Sequence, residues 1–262
     1  MKRWPPLYSL MIASLVPLHD RTADAAMTVN AILLGVLVLL TGTVVGGNWR
    51  IAMAASVVVG CSLWWRYHYV LSEAAFYPLL LGGFFCLDRY MCQRSRGRLL
   101  VCAAVFGLVL LTRYSGIAFV VSAGVFVLRA MGGRHWRDAA LFWLIAITPC
   151  AAWMVRNIMV AGAASGRGID PDLAYMVTPV LIDLIVGVTL LLWAGRIADH
   201  LSRAMVAAAG AYMVFIAFSI VCIDHATPMN FRILSPAGLL LFVALARTIS
   251  RYLAAVTHAA AV

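Results

Sequence analysis

Four arginines and one glutamate stand where charge is hard to place. Arg113 interrupts a long apolar run, Arg156 closes another, Arg232 opens a third, and Arg167 follows Gly166 in the segment after Arg156. Glu73 opens a further apolar run after Ser72. A guanidinium at such a boundary suits phosphate, because its planar fork meets two oxygens at once. A carboxylate among arginines suits two tasks. It takes a proton from an attacking hydroxyl, or it ligates a divalent metal that helps a phosphate leave. Plainer uses compete. An interfacial arginine snorkels to lipid head groups. Ser72–Glu73 also has the pattern of a helix start. Trp64, Trp65, Tyr67, Tyr69 and Trp153 read as an aromatic belt at the membrane surface.

The elements that must position these residues follow from composition. The chain has 262 residues, is 64% hydrophobic and only 11% charged, with a mean hydropathy of +0.96. A soluble domain is about half apolar and about a quarter charged, so lipid must act as solvent for much of this surface. The expected fold class is all-α, a polytopic transmembrane bundle of about nine or ten helices. Apolar runs place helices at 6–19, 26–46, 51–67, 74–92, 99–112, 115–131, 139–157, 176–195, 203–222 and 233–249. The pair around Thr112–Gly116 is too long for one span and predicts a tight hairpin. No internal repeat or domain linker is present, so residues 1–262 read as one integral membrane domain.

Charge then orients the bundle. The net charge of +10 is carried almost wholly by arginine. The segments around Arg89–Arg98, Arg129–Arg137, Arg196–Arg203 and Arg247–Arg251 alternate with poorer ones, which assigns them to the cytoplasm. The basic balance fits loops and anionic lipid rather than nucleic acid. The outer loops are 19–25, 67–73, around 113, 157–175 and 223–232, with Asp20, Asp24, Glu73, Asp170, Asp172 and Asp224. Topology does not require arginine there. Asp183 lies inside a span, where a carboxylate needs protein or water around it; Thr178 and Thr189 are its local candidates. Cys61, Cys86, Cys92, Cys102, Cys150 and Cys222 form no CxxC pair and no zinc spacing, and read as small apolar residues. No cleavable signal peptide is read at Met1.

Short motifs recur at the predicted outer helix ends: Trp4–Tyr8 (WPPLY), Tyr69–Glu73 (YVLSE), Leu111–Gly116 (LTRYSG), Trp153–Asn157 (WMVRN) and Asn230–Pro236 (NFRILSP). Together and in order they resemble the bacterial GT-C superfamily of membrane glycosyltransferases. The nearest resemblance is to its protein-mannosyltransferase/aminoarabinose-transferase-like and Rgt-like group. The resemblance covers nearly the whole chain. It implies a GT-C-like fold in a bacterial inner membrane, a polyprenyl-phosphate-linked sugar as donor, and transfer at the outer face to an acceptor glycan, lipid or protein. Arg113, Arg156, Arg232 and Arg167 would then bind donor phosphate, and Glu73 would serve as catalytic carboxylate or as ligand to a divalent metal.

One departure matters. The family pattern has a further helix before the PPLY motif and an outer loop carrying the catalytic Asp. Here WPPLY begins within a few residues of Met1, and Asp20 and Asp24 come after it. The expectation is a chain N-terminally incomplete relative to the family, with little transfer activity alone. Two other classes stay open. A small-molecule transporter or channel would call for repeats and broken helices at the midplane; a membrane scaffold would need no chemistry.

Overall fold

The computed structural model describes residues 5–19, 21–69, 72–130, 136–162, 177–222 and 231–259, and within these it leaves aside the side chains at 130, 161, 177–179, 231–232 and 258. Among the described residues there are ten α-helices and no strand. They are α1 Leu7–Leu15, α2 Thr22–Val45, α3 Trp49–Leu63, α4 Glu73–Gln93, α5 Arg96–Thr112, α6 Ile117–Ala130, α7 Trp136–Ala161, α8 Val177–Ala194, α9 His200–Cys222 and α10 Phe231–Ala259. The fold class is all-α, as expected.

Among the described residues four segments are long and apolar enough to cross a bilayer: Thr22–Val45, Trp136–Val160, His200–Cys222 and Ile233–Thr257. Leu39, Leu144, Ile185, Leu192 and Leu245 are more than half exposed on the bundle's flanks. Polar Asn30, Glu73, Arg247 and Ser250 are buried instead. Apolar outside and charge inside is the arrangement that lipid favours. The protein is a membrane protein.

Contacts between helix ends define two poles. At the basic pole Ser250 in α10 accepts the Asn48 amide at 2.7 Å, just after α2 turns into α3. Gly46 and Gly47 make that turn at φ 55 and 67, and a Cβ on Gly47 would sit 2.8 Å from the Ser250 hydroxyl. Tyr90 near the end of α4 donates to Asp138 in the first turn of α7 at 3.2 Å. At the opposite pole the α5–α6 reversal is tight because Gly116 lies against the Val109 carbonyl; a Cβ there would approach it to 3.1 Å. Helix α6 then leaves α5 to pack on α7 and α9. Helices α8 and α9 pack closely at Gly187 and Gly210, where a Cβ on Gly210 would come within 2.7 Å of the Gly187 carbonyl.

The segment expected at 6–19 is a nine-residue helix and a 3-10 turn, Val16–Leu18. At 1.5 Å per residue α1 reaches about 14 Å, too short to cross. The Tyr8 hydroxyl donates to Asn30 Oδ1 at 2.7 Å, and the Asn30 amide donates to the Tyr67 and Tyr69 carbonyls at 2.8 and 3.1 Å. Helix α1 is thus held beside α2 at the pole opposite the basic one. Orientation is checked by labelling. With Cys92 as the sole cysteine, a membrane-impermeant maleimide is expected to react only from the cytoplasmic side. In a cysteine-less chain, Tyr69→Cys is expected to react only from outside. Labelling of both from one side would overturn this arrangement.

Candidate functional site

Glu73 is the first residue of α4 and is almost fully buried, with a side-chain exposure of 2%. Its Oε1 meets Arg113 Nη1 at 2.8 Å. Arg113 is the extended residue (φ −151) that ends α5. Its guanidinium carbon lies 5.9 Å from the Phe76 ring centroid, so carboxylate and ring together hold it. The structure therefore joins two of the sequence candidates directly.

A second guanidinium, from a residue absent from the sequence candidates, sits beside this pair. Arg66 lies in a 3-10 turn, Trp64–His68, that follows α3. It is buried, and its Nη1 donates to the Tyr77 hydroxyl at 3.2 Å and to the Ser235 hydroxyl at 3.1 Å. Tyr77 and Ser235 also share a hydrogen bond of 2.7 Å. The Tyr77 hydroxyl feels the charges of Arg66, Glu73 and Arg113, so one phenol links the two groups. Arg66 and Ser235 also line a cavity of about 480 Å³ between α3 and α10, with Val58, Leu63, Trp65 and Phe242 among its walls. One signal could have found Arg66. It is an arginine at the pole where topology requires none, which is the reasoning that selected Arg113.

The other candidates are placed as follows. Arg156 is exposed near the end of α7, over the Trp153 ring at 4.5 Å, with Nη1 at 3.4 Å from Asn157 Oδ1. Its neighbours reach inward where it does not. Asn157 is fully buried, and the side chains of Asn157 and Trp153 hydrogen-bond the Tyr114 hydroxyl, next to Arg113. Arg232 falls in the first turn of α10, with its side chain outside the described residues. Arg167, Asp20, Asp170, Asp172 and Asp224 lie outside them altogether.

Two local expectations need correction. Tyr67 is not a belt residue: it is 3% exposed, and its hydroxyl donates to the Ala74 carbonyl at 3.1 Å. The reason is Pro78. Proline has no N–H, so the carbonyl four residues earlier loses its helical partner, and Tyr67 takes that place. Asp183 does not pair with Thr189, whose hydroxyl donates to the Ile185 carbonyl at 2.7 Å. Asp183 is buried, and among the described residues neither carboxylate oxygen is hydrogen-bonded; the side chain of Thr178, the other expected partner, lies outside them.

The basic pole has its own polar cluster. Asp199 precedes α9 and accepts the Ser202 amide at 2.8 Å, Arg247 Nε at 2.9 Å and Arg251 Nη1. Arg247 also donates to the Val44 carbonyl at 2.5 Å and lies 3.7 Å from Asp88. Burial opposes ionisation of Asp199, but the Ser202 amide, Arg247 and the Ser202 hydroxyl outweigh it and bring the carboxyl from 3.8 down to about 2.

The resemblance implies a divalent metal at Glu73. The Arg113 guanidinium is one cation against Glu73. Among the described residues the one grouping of ligating atoms, Asp88, Cys92 and His200 within 4.8 Å of one another, is at the other pole. Among the described residues Glu73 belongs to no such grouping. What the site offers is a buried carboxylate paired with Arg113, and, across Tyr77, the Arg66 guanidinium at the wall of the cavity between α3 and α10.

No family model, curated protein or solved structure matches the chain.

Proposed function

We propose that the protein binds a polyprenyl-phosphate-linked sugar at the outer face of a bacterial inner membrane and belongs to sugar transfer of the GT-C kind. The observation that carries this reading is the cavity between α3 and α10, with the buried Arg66 guanidinium among its lining. Apolar walls suit a prenyl chain, and a guanidinium suits its phosphate. Beyond Arg66, Tyr77 leads to Glu73 and Arg113, where the sugar would lie. In transfer, an acceptor hydroxyl attacks the anomeric carbon, the bond from that carbon to phosphate oxygen breaks, and prenyl phosphate leaves with the electron pair. Arg66 and Arg113 would hold the phosphate charge that develops, with Arg156, Arg232 and Arg167 as further cations by resemblance. Glu73, freed from Arg113, would take the acceptor's proton.

The test uses the purified chain in micelles. Trp65 lines the cavity, and the Arg66 guanidinium carbon is 5.0 Å from its ring, so its fluorescence should report occupancy. Farnesyl phosphate is expected to change the emission saturably, farnesol to do so weakly, and Arg66→Ala to raise the Kd at least about tenfold, the loss of a charge-assisted hydrogen bond. Equal binding of farnesol and farnesyl phosphate would sink the phosphate reading.

A transporter is the second reading, and Asp183 is the observation in its favour. A carboxylate buried within an apolar helix and, among the described residues, without a hydrogen bond is the kind of group that ion-coupled carriers use. A scaffold without chemistry has no comparable observation behind it.

A further inference from the structure

We propose that the cleft between α4 and α5 at the basic pole holds the head group of one anionic phospholipid of the inner leaflet. The cleft has a volume of about 390 Å³ and is lined by Cys86, Arg89, Gly97, Arg98 and Val101. Two of those five residues are arginines. Arg98 Nη1 donates to the Arg89 carbonyl at 3.1 Å, which fixes its guanidinium beside α4. Arg89 is steadied over the Phe85 ring at 5.0 Å. Among the described residues neither arginine pairs with a carboxylate. The acid next in sequence, Asp88, is turned away toward α9 and α10, with His200 Nε2 at 2.9 Å and Arg247 Nη2 at 3.7 Å.

Two guanidinium groups without a counterion at one cleft call for an anion. The walls say which kind. Cys86 lies one turn before Arg89 and Val101 one turn after Arg98, so the side of the cleft toward the membrane interior is apolar. Val101 is 55% exposed on the lipid-facing flank. A soluble phosphate would gain nothing from those walls, whereas a phospholipid would place its phosphate between the arginines and its glycerol and first methylenes along Cys86 and Val101. Gly97 keeps the entrance open, because a Cβ there would meet nothing within 4 Å. This site is separate from the Arg66 cavity at the opposite pole and does not depend on the sugar-transfer reading.

The experiment is native mass spectrometry of the full chain, released from micelles after incubation with phosphatidylglycerol or phosphatidylcholine. The wild type is expected to retain one phosphatidylglycerol in preference to phosphatidylcholine. The double variant Arg89→Ala/Arg98→Ala is expected to lose that retention at least tenfold. Arg94→Ala/Arg96→Ala removes equal charge from the same connection and is expected to retain the lipid. Gly97→Leu keeps every charge, fills the entrance and is expected to lose it; this variant decides the matter where the double arginine variant fails to fold. Equal loss in both double variants would mean diffuse attraction and overturn the proposal. So would displacement by millimolar inorganic phosphate, or undiminished retention in Gly97→Leu.

Discussion

Arg113→Met is expected to lower the unfolding free energy by about 3–5 kcal/mol, and Glu73→Gln by about 1–2 kcal/mol. The asymmetry comes from burial. Glu73 is 2% exposed and Arg113 is 22% exposed, at a contact of 2.8 Å. Removing the arginine takes the guanidinium from a carboxylate that cannot reach water. Removing the carboxylate leaves an arginine that can swing its head outward along its flexible stem. The double variant should recover at least about 2 kcal/mol relative to Arg113→Met, because a buried pair removed together leaves no stranded charge. Denaturant unfolding of the four proteins in micelles measures all three differences. Equal costs for the two single variants would mean that water solvates both partners, and the pair would not be the closed element that its geometry describes.

The second large effect belongs to the basic pole. Arg247→Met is expected to cost about 3–5 kcal/mol, since one side chain, 5% exposed, serves Asp199, Asp88 and the Val44 carbonyl together. Arg247→Lys should recover only part, because an ammonium cannot fork among three partners. The same cluster sets an acid limit. Asp199 is lowered from 3.8 to about 2 in the folded protein, so it binds its proton more weakly folded than unfolded. Its contribution, about 2 kcal/mol, is complete above about pH 4 and is lost as the pH falls toward 2. Unfolding measured from pH 6 to pH 2 should show this slope in the wild type and lose it in Asp199→Asn. A slope unchanged in that variant would assign it to other carboxylates.

Helices were the most legible part of the sequence. The runs expected at 99–112 and 203–222 appear as Arg96–Thr112 and His200–Cys222, because apolar length sets where a span can lie. Ends were less legible where charge stops the apolar run without stopping the helix. Helix α10 continues to Ala259 rather than 249; Arg247 and Arg251 are good helix formers, and Asp199 pairs with both, the first buried and the second exposed. The site was half legible. Arg113 stood out because topology requires no arginine at that pole, and Glu73 because it is the acid within a motif at an outer helix end. Arg66 was hidden among Trp64, Trp65 and Tyr67, and its partner Ser235 is 169 residues away. No local pattern encodes that meeting. Tyr67 was misassigned for a related reason: its role depends on a carbonyl that Pro78 leaves open in another element.

That open carbonyl has a mechanical consequence. The first turn of α4 carries Glu73, and at Pro78 it lacks the backbone bond that would brace it to the rest of the helix. A phenol from the preceding 3-10 turn supplies the brace. Tyr67 therefore replaces, with one side-chain hydrogen bond of about 1 kcal/mol, the backbone bond that Pro78 removes, and ties the turn bearing the carboxylate to the 3-10 turn before it. Asn30, holding the Tyr67 carbonyl, fixes the residue that supplies this brace.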